Sequence, residues 1–194
     1  MKRYDISQEV FGCRVYPGDP TPQKTTVCSM DKGDMYDLSA FSMCAHNGTH
    51  IDAPRHFIKD GKTVDELTLS STVGDAFVAE HQGELLAEDA RNVLAKAGGI
   101  PRILLKGELT VTAEAAEVFA AAKICLLGNE SQTVGPEEAP MQVHKILLGA
   151  DVVLLEGIRL QSVREGKYLL FAAPLNLAGT EGAPCRAVLL EDEK

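Results

Sequence analysis

The sequence predicts a mixed α/β fold: a strand-rich first half, a partly parallel sheet and flanking helices. Three observations carry that reading. Short apolar or alternating runs bounded by Gly, Pro and Asp fill the first half. Two longer segments then change to helical period. Each of these is followed at once by a new apolar run, the strand and helix alternation that builds parallel strands.

In chain order, "YDIS", "KTTVCSM", "LSAFSMCA" and "AFVAE" read as strands. "GELLAEDARNVLAKAGG" sets Leu85, Leu86, Ala90, Val93, Leu94 and Ala97 at helical spacing, with Gly98-Gly99 as the stop. "TAEAAEVFAAAK" is a second helix, with Thr112 as cap and Glu114 near the positive end of its dipole. The runs "RILLKG" and "KICLLGN" follow these helices. A third helical stretch, "APMQVHKILLGA", precedes "DVVLLEG". The tail returns to strands, "KYLLFAAP" and "CRAVLLE", separated by the Gly-rich loop "LNLAGTEGAP". At 194 residues and 45% hydrophobic content the chain is expected to form one domain over residues 1–194, without repeat or linker.

Composition narrows the function. A net charge of -9 without a basic run argues against nucleic acid, whose phosphates call for clustered Lys and Arg. No apolar stretch follows "MKRYDISQEVFG" as a signal-peptide core, and none later is long enough to span a bilayer, so a cytoplasmic protein is expected. Cys13, Cys28, Cys44, Cys125 and Cys185 are odd in number and scattered, which points to reduced thiols.

Chemistry is concentrated in "HNGTHIDAPRH", where three of the five histidines and an aspartate share eleven residues. His46 and His50 have the spacing that places two rings on one face of a helix, yet Asn47-Gly48 is a turn signal and Thr49 and Ile51 are β-branched. Pro54 also biases Ala53 away from the helix. The segment is therefore expected to be a turn entering extended chain, where His50 and Asp52, two apart, project together. The Gly48 turn brings His46 round to them. Two nitrogens and one oxygen suit zinc, and also manganese or iron, with positions left for water. His56 is surplus to that set and free to act as acid, base or fourth ligand.

The pattern His-x-Gly-Thr-His-x-Asp-x-Pro-x-His resembles the signature of the cyclase family of metal-dependent hydrolases, which includes bacterial kynurenine formamidases. "VYPGDPTP", "LLGNESQTVG" and the stretch from "HKILLGADVVLLEG" to "CRAVLLE" extend the resemblance over most of the chain. It implies a swivelling β/β/α domain, a homo-oligomer built from dimers, and two zinc ions per chain, with manganese as the alternative. By that similarity His46 and His50 hold the first metal, Asp52 bridges, His144 and Glu156 hold the second, and His56 is the acid/base. Where the family's formamidases carry tryptophan as a wall for an aromatic substrate, this chain has Tyr16, which is expected to border the pocket. The acidic loop after "LLG" also differs, with Asn129-Glu130 and Thr133-Val134-Gly135 in its place.

The function expected is hydrolysis of a small amide or formamide by metal-bound hydroxide, with His56 protonating the departing amine and N-formylkynurenine as the leading substrate. Other lactams or lactones, a dehydratase or cyclase reaction, and non-catalytic metal binding are the alternatives. Glu156 ends a run of four aliphatic residues and needs a cation there. A metal shared with His144 is one solution and an ion pair with Arg159 the other. Glu130 and Gln132 could orient a polar substrate group, while His81 reads as a turn residue outside the site.

Overall fold

The computed structural model describes residues 1–192. The chain enters with β1 (Lys2–Asp5), followed by β2 (Gln23–Cys28) and β3 (Leu38–Ser42), which pair with each other as an antiparallel hairpin. Next come β4 (His50–Asp52), the single turn α1 (Leu69–Thr72) and the long β5 (Val73–Glu80). Alternation then sets in with β6 (Gly83–Leu85), α2 (Ala87–Ala97), β7 (Arg102–Lys106), β8 (Leu109–Val111), α3 (Ala113–Ala121) and β9 (Leu126–Asn129). It closes with α4 (Met141–Gly149) and β10 (Val153–Glu156), after which β11 (Gly166–Phe171), β12 (Gly182–Pro184) and β13 (Val188–Glu191) complete the chain.

Nine strands form one mixed sheet in the order β1-β13-β11-β5-β7-β9-β10-β4-β12. The middle strands β5, β7, β9 and β10 run parallel, as alternation with helices requires, and the flanking strands pair antiparallel. Each middle strand divides its side chains between two apolar clusters. Ile103, Leu105, Leu127 and Leu154 face the helices, while Leu104, Leu126, Val153 and Leu155 face the opposite core. Burial on both sides is why these strands read as continuous apolar runs.

Two elements depart from the sequence expectation. Leu85 and Leu86 precede α2 instead of lying in it, because the Asp89 carboxylate accepts the Leu86 N–H and fixes the helix start at Ala87. Leu85 instead joins β6, which pairs with β8 in a small parallel sheet. The Gly-rich loop "LNLAGTEGAP" also contains β12, an edge strand where Pro184 is tolerated. Thr112 caps α3 by accepting the Ala115 N–H, and Gly98 ends α2 in the left-handed conformation.

Candidate metal centre

Strand β4 builds one wall of the site. It lies between β10 and β12, with Ile51 opposite Leu155 and His50 opposite Glu156. Ile51 and Leu155 belong to the core on the far side of the sheet, so the period-two alternation turns His50, Asp52 and Glu156 together to the helix side. There His144 of α4 meets them. All four are buried.

His50 Nε2 lies 3.4 Å from Asp52 Oδ1 and 3.5 Å from Glu156 Oε2. His144 Nε2 lies 3.3 Å from Glu156 Oε1 and 3.6 Å from Asp52 Oδ2. Both rings are anchored from behind: His50 Nδ1 is 3.0 Å from the Gly48 carbonyl and His144 Nδ1 is 2.9 Å from that of Pro140. Since a carbonyl only accepts, each Nδ1 carries the proton, and the neutral form of each ring presents a lone pair at Nε2.

Gly48, at φ +65°, turns the chain so that His46 Nδ1 reaches Asp52 Oδ1 at 2.7 Å. His46 Nε2 faces Glu181 Oε1 at 3.3 Å, a carboxylate in the loop before β12. His56 ends a 3₁₀ turn, Pro54–His56, where the sequence reading had continued extended chain; its ring stacks on His46 with centroids 4.1 Å apart. Ligand atoms of His46, Asp52 and His56 lie within 4.8 Å of one another, as do those of His50, Asp52 and Glu156. Proximity thus groups His50 with Glu156, and His56 with His46, a different partition from the one the family resemblance implies.

Charge explains why the cluster suits a cation. No Lys or Arg pairs with Asp52 or Glu156 among the described residues, and Asp52 Oδ2 is buried without a hydrogen bond. Arg159 turns away and donates to the carbonyls of Glu130 and Ile158, so it does not form the ion pair considered for Glu156. Burial disfavours the His50 imidazolium, but its contacts with Asp52 and Glu156 outweigh that and raise its pKa to about 10. His144 reaches about 10 for the same reasons. Burial pushes the Asp52 carboxyl up, yet the His46, His144 and His50 imidazoles hold it well below the usual carboxylate range. Burial also works against His46, whose pKa is raised by Asp52, whereas in His56 burial prevails and the pKa falls. The donor set fits a divalent metal, which would replace the protons these rings otherwise recruit.

A cavity of about 230 Å³ opens in front of the cluster, and Tyr16, Asp19, Phe57 and Thr133 contribute to its lining. The Tyr16 hydroxyl donates to the Glu137 carbonyl. Of the two loop residues singled out, Gln132 donates to the Gly48 carbonyl and supports the turn. Glu130 is committed elsewhere, accepting the N–H groups of Gly107 and Leu160. His81 bonds the Glu84 carbonyl, apart from the cluster. Sequence reasoning missed Glu181, and a lone acid in a Gly-rich loop carries no signal that would have found it.

Residues 4–135 match the family described as "Putative cyclase". The chain belongs to the cyclase family. It is 31% identical to a kynurenine formamidase of Erythrobacter litoralis (strain HTCC2594) over 97% of this chain and 93% of that one. A kynurenine formamidase of Salinibacter ruber (strain DSM 13855 / M31) is 32% identical, with 97% of each chain covered. Among solved structures, a "potential metal-dependent hydrolase with cyclase activity" superposes with a TM-score of 0.84 at 28% identity, covering 100% of this chain and 99% of that one. Isatin hydrolase A from Labrenzia aggregata shares the fold, with a TM-score of 0.84 at 22% identity over 98% and 94% of the two chains. No helix among the described residues is long and apolar enough to cross a membrane.

Proposed function

We propose that this cyclase-family chain is a metal-dependent hydrolase that cleaves the carbon–nitrogen bond of a small amide or formamide, with aryl formamides of the N-formylkynurenine type as its substrate class. One observation carries most of the weight: the buried carboxylates of Asp52 and Glu156 face imidazole nitrogens, with no Lys or Arg among the described residues to neutralise them. His46, His50, Asp52, His144 and Glu156 would hold the metal, up to two zinc ions per chain, with manganese as the alternative. Asp52 is the residue common to both groups of donors, so we assign it the shared position. When bound, the metal supplies a Lewis acid that polarises the carbonyl and lowers the pKa of a water to about 7.

The remaining work falls to the chain. Among the described residues His56 has no backbone anchor of the kind that His50 and His144 have, and its ring lines the cavity. We assign it the proton transfer, accepting from the attacking water and delivering to the departing nitrogen. Tyr16 offers an aromatic edge at the cavity, held by its hydroxyl, and is the residue we assign to the substrate ring. The formamidase relatives support the formamide class, and we read the assembly as a cytoplasmic homodimer or higher homo-oligomer acting on a small molecule.

Metal analysis of the purified protein followed by assay against N-formylkynurenine, formanilide, a lactam and a lactone tests the reading. Formamide hydrolysis that is lost on chelation and restored by zinc or manganese is expected. Turnover indifferent to chelation would reject the metal. Activity confined to the lactam or lactone would move the substrate class.

A further inference from the structure

Two glutamine side chains from distant parts of the chain grip the turn that carries His46 and His50. Gln132, in the loop after β9, donates through Nε2 to the carbonyls of Gly48 at 3.0 Å and His46 at 3.3 Å, and its Oε1 accepts from Gln8 Nε2 at 2.9 Å. Gln8, just beyond β1, also donates through Nε2 to the Gly157 carbonyl at 2.8 Å, and its Oε1 accepts the Arg14 N–H. Each amide spends both its hydrogens on protein oxygens. Because backbone groups bond in one sense only, they fix which end of each amide is nitrogen.

The clasp leaves no slack. Thr49 Oγ1 donates to the same Gly157 carbonyl at 2.8 Å and accepts the Gln8 N–H at 2.9 Å. Gly157 has φ +68°, and a Cβ there would stand 2.3 Å from the Gly48 oxygen, 2.6 Å from Gln8 Nε2 and 2.8 Å from Gln132 Oε1. Gly157 follows Glu156 directly and Thr49 precedes His50, so the clasp joins the ends of two strands that supply donors to the centre. The Gly48 carbonyl receives hydrogens from Gln132 and from His50 Nδ1 alike. Gly48 has no side chain to hold its own backbone in place.

We propose that Gln8 and Gln132 work as one positioning unit, which fixes the Gly48 carbonyl and through it the orientation of the His50 imidazole. The consequence for metal rests on the hydrolase reading above, whereas the orientation of the ring does not. Gln132 lines the cavity, but its N–H groups are committed to the turn, so its task is to support a ligand and not to hold substrate.

The test uses Gln8→Met and Gln132→Met, which keep the length and remove the amide, and Gln132→Glu, which keeps the shape and removes the donors. In metal-free, nitrogen-labelled protein the His50 Nδ1–H, assigned with His50→Asn, is expected to exchange at least about tenfold faster in all three than in wild type. Zinc affinity by chelator competition should fall about tenfold in each, the lower end for a disturbed supporting contact. The Gln8→Met/Gln132→Met double variant should lose no more than the worse single one, as expected of a unit. At saturating zinc the KM for formanilide should stay within about twofold of wild type. Unchanged exchange at His50 in both Gln132 variants would overturn the positioning role, and additive losses in the double variant would overturn the pair. A KM that rises while zinc affinity holds would make Gln132 a substrate contact instead. Wild type that takes up no zinc would overturn the metal reading, while the His50 proton, read without metal, still decides the positioning.

Discussion

The four histidines of the site divide into two kinds. His50 and His144 are buried and held from behind by backbone carbonyls, so their orientation is part of the fold. His46 and His56 have no such anchor among the described residues: one is held between the carboxylates of Asp52 and Glu181, and the other stacks on the first. The contrast separates two tasks. In the proposed assignment His50 and His144 are ligands fixed before the metal arrives, His46 is a ligand oriented only by carboxylates, and His56, which neither a carbonyl nor a carboxylate holds among the described residues, is free to exchange protons.

Replacing the group that both pairs share should have the largest effect. Asp52→Asn is expected to lower metal content sharply and to reduce turnover at least as far as the about 10²–10⁴-fold that a lost acid/base costs. Full metal content by elemental analysis would remove Asp52 from the ligand set. On the anchored side, His144→Ala is expected to remove one metal together with most of the activity. Unchanged stoichiometry and turnover would reduce His144 to a core histidine. His56→Ala should do the reverse, keeping the metal while turnover falls about 10²-fold. A variant that loses metal but turns over normally when it is restored would make His56 a ligand, as its proximity to His46 and Asp52 allows.

Gly182→Ala probes the unanchored side more gently. A Cβ there would stand 2.6 Å from His46 Cε1, so the ring must shift. Metal affinity is expected to fall about tenfold, the lower end for a disturbed supporting contact, and equal affinity by competition titration would show that His46 tolerates displacement.

The smallest effect concerns the anchored pair without metal. His50 and His144 have folded-state pKa values near 10, above their ordinary value of 6.5. Their contribution to stability is complete below about pH 6.5 and is lost as pH rises through 10. The depressed Asp52 acts oppositely, contributing above its ordinary value of 3.8 and losing that as pH falls. Metal-free protein should therefore melt highest between these limits and lose on the order of a few °C toward pH 10. A flat Tm across that range in metal-free protein would contradict the charged state assigned to the two rings.

Much of this arrangement was legible beforehand. The Asn-Gly turn and the β-branched residues around His50 place His46 in a turn and His50 at the start of extended chain, and the apolar runs ending at Asn129 and Glu156 identify the interior strands. The neighbour of β4 was not legible, because Gly182, Ala183 and Pro184 have almost no intrinsic strand preference and pair through position alone. Nor could alternation distinguish the β2–β3 arm from strands of the main sheet. Local pattern reports the strand, whereas what it packs against is decided by distant parts of the chain.

That distance governs the order in which the protein is made. Asp52 is paired with Leu154 on one side and Gly182 on the other, and the Thr49 hydroxyl closes on the Gly157 carbonyl 108 residues away. A ribosome must therefore release nearly the whole polypeptide before the pocket's wall exists. Histidines 46, 50 and 56 emerge early and wait, exposed and uncommitted, through the synthesis of more than half of the molecule. The full donor set, which includes His144 and Glu156, can therefore come together only after most of the chain has been made.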